Sequence, residues 1–263
     1  MSKKDMEREG KKAQVTIFII VAILVVAIVI VYFLYIQPTY FAAQGKRLGF
    51  ENCAADVVEG EIGSLGERAG FVNPGFSYLY QDEEIPYLCY AGLYYKPCII
   101  QKPFLKQHFE SELKKAVVEK IEKCYNDNLN DLKRQGYDVV SGGIDFDISL
   151  EPGKVRVDID APTTISKQTS QRFVEFGAEV NSQIYDMLML ATSILQYESK
   201  YGDSDTAVLM TLYPNFAIDK IVRGDSTKIY IIEDKKTGTK FKFASRSFAM
   251  PAGYGIDTGL VGA

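Results

Sequence analysis

From Val15 to Ile36 the chain runs for 22 residues in which the only members that are not plainly apolar are Thr16, Tyr32 and Tyr35. As a helix this stretch measures about 33 Å at about 1.5 Å per residue, enough to cross the hydrocarbon core of a bilayer. A removable secretory signal has a shorter apolar region and a small-x-small cleavage site after it, whereas the run here is followed by Gln37-Pro38-Thr39-Tyr40-Phe41. The expectation is a retained transmembrane helix over 14–37, preceded by a basic cytoplasmic leader at 1–13.

The flanks set its direction. Lys3, Lys4, Arg8, Lys11 and Lys12 precede the run, and no basic residue follows it until Lys46. Under the positive-inside rule the amino terminus stays cytoplasmic and the remainder of the chain is exported. Tyr32, Tyr35 and Tyr40 gather at the outer end, where amphipathic rings are favoured. Pro38 would kink or stop a helix continuing outward. These features predict a single-pass protein of the cell membrane with an extracellular domain at 38–249 and a glycine-rich tail at 250–263.

The stretch Lys12-Ala13-Gln14-Val15, set directly before the apolar run, resembles the class III signal peptide of archaeal type IV pilin-like proteins. That resemblance implies processing by a prepilin peptidase between Ala13 and Gln14. The cut removes the leader and leaves the apolar helix either to anchor the subunit or to drive self-assembly into a filament. Phe18 stands where bacterial pilins carry a glutamate, so the resemblance is to the archaeal form. The chain is also similar to envelope proteins of small-genome archaea that begin with a GQVTIF-like or AQVTIF-like stretch. An unprocessed signal-anchor holding a stalked domain is the competing reading.

The exported part alternates helical and strand patterns. Phe50, Cys53, Ala54, Val57, Val58, Ile62 and Leu65 recur at helical spacing, as do Phe109, Leu113, Val117, Val118, Ile121, Cys124 and Leu129 within 104–134. Residues 71–98 are aromatic and turn-rich and read as short strands. Ile144, Phe146, Ile148 and Leu150 alternate with polar residues, then Val155, Val157 and Ile159 do the same beyond Glu151-Pro152-Gly153-Lys154, the pattern of a hairpin. A further helix is expected over 178–201, and strands over KIYIIED and TKFKFASRSF. Tight hairpins between helices predict an α+β class, with helices packed on antiparallel hairpins.

The cysteines Cys53, Cys89, Cys98 and Cys124 contain no CxxC pair, so in an exported domain they read as two disulfides rather than a zinc site. Cys89 and Cys98 flank Ala91-Gly92-Leu93-Tyr94-Tyr95-Lys96-Pro97, which suits a local bridge, and Cys53 with Cys124 would staple helix to helix. The other pairings stay open on sequence alone.

The search for chemistry finds little. The net charge of −4 and pI near 5.3 argue against a nucleic-acid partner. No nucleophile-elbow, zincin, P-loop or dinucleotide fingerprint occurs, and the lone histidine, His108, falls in a helical pattern and reads as an exposed helix residue. No enzymatic activity and no resident cofactor are therefore expected. One cluster stands out: pairing Leu150 with Val155 sets Asp147 opposite Asp158 and Asp145 opposite Asp160 on the polar face of the hairpin. Like charges so placed destabilise a sheet, and solvent, a basic partner surface or a calcium ion would offset them. No calcium-loop motif accompanies them, so a solvated acidic face is the default and a calcium site the sharper alternative. Tyr78, Tyr80, Tyr87, Tyr90, Tyr94 and Tyr95 form a second candidate, as core or as recognition surface. The expected function is a structural, adhesive or surface-assembly role in the envelope; the alternative is a stalked ectodomain that binds a ligand or ion without polymerising.

Overall fold

The computed structural model describes residues 20–21, 23–27 and 49–248. The chain divides into two compact units, 1–49 and 50–263. In the first, the described residues are helical, and Ile20, Val21, Ile23, Leu24, Val25 and Val26 are each more than half exposed.

The second unit begins with α1 (Phe50–Gly66), then β1 (Ser77–Tyr80), β2 (Glu83–Tyr90), β3 (Ile99–Ile100) and α2 (Leu105–Arg134). There follow β4 (Asp138–Ser141), β5 (Asp145–Glu151), β6 (Lys154–Ser166), β7 (Ser170–Asn181), α3 (Ile184–Tyr201), α4 (Thr206–Leu212), β8 (Phe216–Val222), β9 (Thr227–Asp234) and β10 (Lys240–Arg246). Helices α1 and α2 pair because each carries an apolar stripe at three- and four-residue spacing. Phe50, Ala54, Val58, Ile62 and Leu65 on α1 and Phe109, Leu113, Val117 and Ile121 on α2 are all buried. Cys53 and Cys124 are bridged across the pair with their Cα atoms 5.9 Å apart. Helix α1 ends where Gly70 N–H reaches back to Leu65 O at 2.7 Å. Gly70 has φ +81°, and a Cβ there would meet Phe109 Cδ2 at 2.8 Å, so the turn requires glycine.

One sheet runs β1-β2-β10-β9-β8, with β3 also paired to β2. The second is built around the long strand β6, which pairs β5 along its first half, β4 along its second half, and β7 along almost its whole length on the opposite edge. Helix α3 joins the two: it packs on β2, β3, β9 and β10 of the first sheet and on β5 of the second. That position explains its broad apolar surface, in which Ile184, Met187, Leu188, Leu190, Ala191, Ile194 and Leu195 are buried.

Several sequence expectations are corrected. The class is a mixed α/β arrangement of two sheets, not helices on antiparallel hairpins. The decisive pairing is parallel: β2 joins β10 through Tyr87 opposite Ala244, strands so distant in the chain that no turn signal announces them. Nor is the expected transmembrane helix shown: among the described residues no helix is long and apolar enough to cross a membrane. The rest of 14–37, the leader 1–13, residues 38–48 and the tail 250–263 lie outside the described residues. The helix expected from Ala178 starts at Ile184, because Ala178 and Val180 alternate with Glu179 and Asn181 as the end of strand β7.

Candidate functional site

On the solvent face of the second sheet, β5, β6 and β7 set side chains in rows. Asp145 lies opposite Asp160, which in turn lies opposite Glu175; Asp147 lies opposite Asp158, which faces Gly177. Five carboxylates therefore share one patch, and together with Phe146, Ile159, Phe176 and Gly177 they line an open hollow of about 630 Å³. Nothing lies within 4 Å of where a Gly177 Cβ would stand, so the floor of the hollow on β7 is bare backbone.

Among the described residues the balancing charge comes from Lys114. Lys114 on α2 places Nζ 2.9 Å from Asp147 Oδ1 and 3.7 Å from Asp145 Oδ1, over the ring of Phe146 at 5.5 Å. The hydrogen bond to Asp147 holds the Lys114 ammonium above its usual pKa. The other half of the same face is neutral by comparison. Lys154 bonds Glu179 at 2.8 Å, and Arg156 bonds Glu151 at 3.2 Å and Glu179 at 3.7 Å. The Lys154 hydrogen bond accordingly depresses the Glu179 carboxyl. Charge on this face is segregated into a paired half and an acidic half.

Side chains on neighbouring strands stand about 5 Å apart and project in parallel, whereas calcium takes six to eight oxygens converging at about 2.4 Å. Among the described residues no group of three or more His, Cys, Asp or Glu has metal-holding geometry. Asp145 and Asp147 side chains are 86% and 88% exposed, so water already solvates them.

The tyrosines divide into two groups. Tyr87 is buried, and Tyr78, Tyr80 and Tyr90 are half-buried beside it with Ile85, Ile229 and Ala244 on one face of the first sheet. A register shift in β2 between its pairings with Ala244 and Ser245 brings Tyr87 and Tyr90 to that same face. Tyr94 and Tyr95 instead sit at the tip of the loop after β2, 66% and 70% exposed. The cysteines flanking this loop, Cys89 and Cys98, are bridged with Cα atoms 5.3 Å apart.

His108 is not the exposed helix residue expected from sequence. It is half-buried against Phe71, with ring centroids 4.5 Å apart, and its Nε2 is enclosed without a hydrogen-bond partner. Burial, with Lys102 nearby, lowers its pKa. The processing residues Ala13 and Gln14 lie outside the described residues.

Sequence reading missed a buried ionic cluster beneath the first sheet. Glu198 of α3 is completely buried, and its carboxylate accepts hydrogen bonds from Lys228 Nζ at 3.0 and 2.9 Å, Tyr230 OH at 2.5 Å and Ser245 Oγ at 2.9 Å. Ser247 Oγ donates to the Glu198 carbonyl at 2.7 Å, and Lys228 also reaches Asp203 at 3.2 Å and the Gly202 carbonyl. Burial pushes the Tyr230 phenol well above its usual range, and the adjacent Glu198 carboxylate pushes it the same way. Burial also opposes ionisation of Asp203, but Lys220 and Lys228 outweigh it and hold that carboxyl low. Every polar atom of the cluster named here has a partner, and it serves to fix α3 to β9 and β10. Its only sequence signal is Lys228 and Tyr230 alternating on one face of KIYIIED, opposite Ser245 and Phe243.

No known protein family, curated protein or solved structure matches the chain.

Proposed function

We propose that this is an exported cell-envelope protein, structural, adhesive or assembly-forming rather than catalytic, whose two-sheet domain works outside the cytosol. The observation that carries the reading is the complete pairing of its cysteines: all four are in disulfides, Cys53–Cys124 and Cys89–Cys98. Such bridges persist in oxidising compartments and are rare where thiols are kept reduced. Two further features support it. The basic leader precedes a sequence suited to a prepilin-peptidase cut between Ala13 and Gln14, and the exposed apolar side chains of Ile20, Val21, Ile23, Leu24, Val25 and Val26 favour a cover of sister chains over water.

Mass spectrometry of the mature, non-reduced protein from its native envelope, with sedimentation of the same material, tests the reading. The expected result is an amino terminus at Gln14, both disulfides intact, and sedimentation of the protein as polymers. An intact Met1 on a chain carrying free thiols overturns it.

A second reading, an ectodomain that binds an ion or ligand without polymerising, is favoured by the segregated carboxylates facing the single Lys114. Calcium that bound only the folded state would raise the melting temperature. An unchanged melting temperature on adding calcium or chelator removes calcium from this reading.

A further inference from the structure

We propose that the loop Gly92–Pro97, closed at its base by the Cys89–Cys98 disulfide, is a docking finger that seats in the interface of an anionic lipid bilayer. The inference goes beyond the proposed envelope role and does not require it, since the finger would meet any anionic bilayer in its compartment.

The tip is apolar and uncovered. Leu93, Tyr94 and Tyr95 are 64%, 66% and 70% exposed, and Ile99 and Phe104 follow in the chain at 74% and 73%. Exposed apolar side chains gathered in one short segment mark a binding surface more often than chance. The charge of the region then selects the partner. From Ala91 to Phe109 the chain holds Lys96, Lys102 and Lys106 and no Asp or Glu, although the whole protein carries a net charge of −4; Lys106 is paired with Glu110 at 3.1 Å, which leaves Lys96 and Lys102 as the charges offered outward. Leucine to insert, tyrosines for the headgroup level and lysines for anionic lipid are the chemistry of an interfacial anchor.

The finger is also built in advance. Arg246 at the end of β10 donates through Nη1 to the Ala91 carbonyl at 2.6 Å, and Ala91 N–H donates back to the Arg246 carbonyl at 2.8 Å. The same guanidinium lies over Tyr90, Tyr94 and Phe248 at 5.7, 5.5 and 5.0 Å. On the other side of the loop, Cys98 N–H donates to Ser247 Oγ at 3.0 Å. Tyr95 holds φ +60°, a conformation costly for a bulky residue and retained where surroundings and use demand it. A base tied on one side to Arg246 at the end of β10 and on the other to Ser247 just beyond it, with a disulfide between them, leaves little ordering entropy to be lost when the tip docks.

The chain contains no tryptophan, so a single one introduced at the tip is a unique reporter. The full-length Leu93→Trp protein is reconstituted with phosphatidylglycerol vesicles carrying bromine on the acyl chains, and Val140→Trp serves as the reference. Val140 is 66% exposed on β4, and the next residue, Ser141, pairs with Thr163; Thr163 bonds Tyr125, which lies about 30 Å of helix rise along α2 from its first residue, Leu105, the end nearer the finger in the chain. The expected result is blue-shifted emission and several-fold stronger bromine quenching at 93 than at 140. The excess should shrink when phosphatidylcholine replaces phosphatidylglycerol and in the Lys96→Glu background. Because both reporters ride on the same chain, any lipid contact made by its amino-terminal segment is common to them. Tyr95→Trp repeats the measurement should Leu93→Trp fail to fold. Equal quenching at 93 and 140 overturns the proposal, as does a blue shift without bromine quenching, which would place the tip against protein. An excess at 93 indifferent to lipid charge overturns the anionic partner.

Discussion

Replacing Glu198 with methionine removes the acceptor that Lys228, Tyr230 and Ser245 share. Lys228 then keeps only the half-exposed Asp203 at 3.2 Å and the Gly202 carbonyl, while remaining 7% exposed itself. Breaking a buried ion pair from one side costs about 3–5 kcal/mol, because a charge is left in a poor solvent. Against a typical total of about 5–15 kcal/mol, Glu198→Met should place the domain near its stability limit. Lys228→Met should cost less, about 2 kcal/mol, since Tyr230 and Ser245 still donate to the carboxylate it leaves behind. The Glu198→Met, Lys228→Met double variant removes both charges and should be more stable than Glu198→Met alone. Urea unfolding followed by circular dichroism, on the full chain and under identical conditions for all four proteins, gives the coupling energy directly. Additive losses, with the double variant as unstable as the sum of the singles, would refute the idea that Lys228 is held in place by Glu198.

Three further outcomes follow from the same geometry. The Cys53–Cys124 bridge closes 71 residues and Cys89–Cys98 closes 9, so loop entropy alone assigns them about 4.4 and about 2.6 kcal/mol. Paired alanine variants should therefore differ in unfolding free energy by about 2 kcal/mol, with the Cys53, Cys124 variant the weaker. Burial first, then Lys102, with Lys115 adding to them and Glu112 opposing, holds the His108 imidazole below 6.5. The unfolded chain then binds more protons than the folded one, so stability present above about pH 6.5 is lost as pH falls through the lowered value. A melting temperature measured from pH 8 to pH 4.5 should show this slope in the wild type and lose that component in His108→Phe. Asp160 faces both Asp145 and Glu175, so Asp160→Asn should raise stability by a few tenths of a kcal/mol, about the lower end of cross-strand charge effects, and the gain should fade in salt. A melting temperature that fell instead would mean that the acidic row is held by something it binds.

How far the sequence reaches is set by the range of each signal. The β5–β6 hairpin and its rows of aspartates follow from alternation and one turn, both contained in the 16 residues from Asp145 to Asp160, and the structure has that register. Helices α1 and α2 are legible for the same reason, since a 3.6-residue period repeats within a few turns. Glu175 is invisible in the sequence as a fifth member of the acidic row because the helix expected over 178–201 takes in the end of β7, and pairing to β6 is what turns its polar residues outward. Glu198 was harder still. A glutamate in the last turns of a helix reads as solvated, and nothing local says that Lys228, Tyr230 and Ser245, from strands β9 and β10, will close around it. The packing of α3 on β9 and β10 creates that closure, and the parallel contact of β2 with β10 tethers the Gly92–Pro97 loop through Arg246, so two long-range contacts account for the two features that sequence could not supply. The acidic hairpin is a property of a segment and survives reading the chain in order. The buried cluster and the held finger are properties of a meeting between segments, which the burial of Tyr87, Leu88, Phe243 and Ala244 on the two strands enforces.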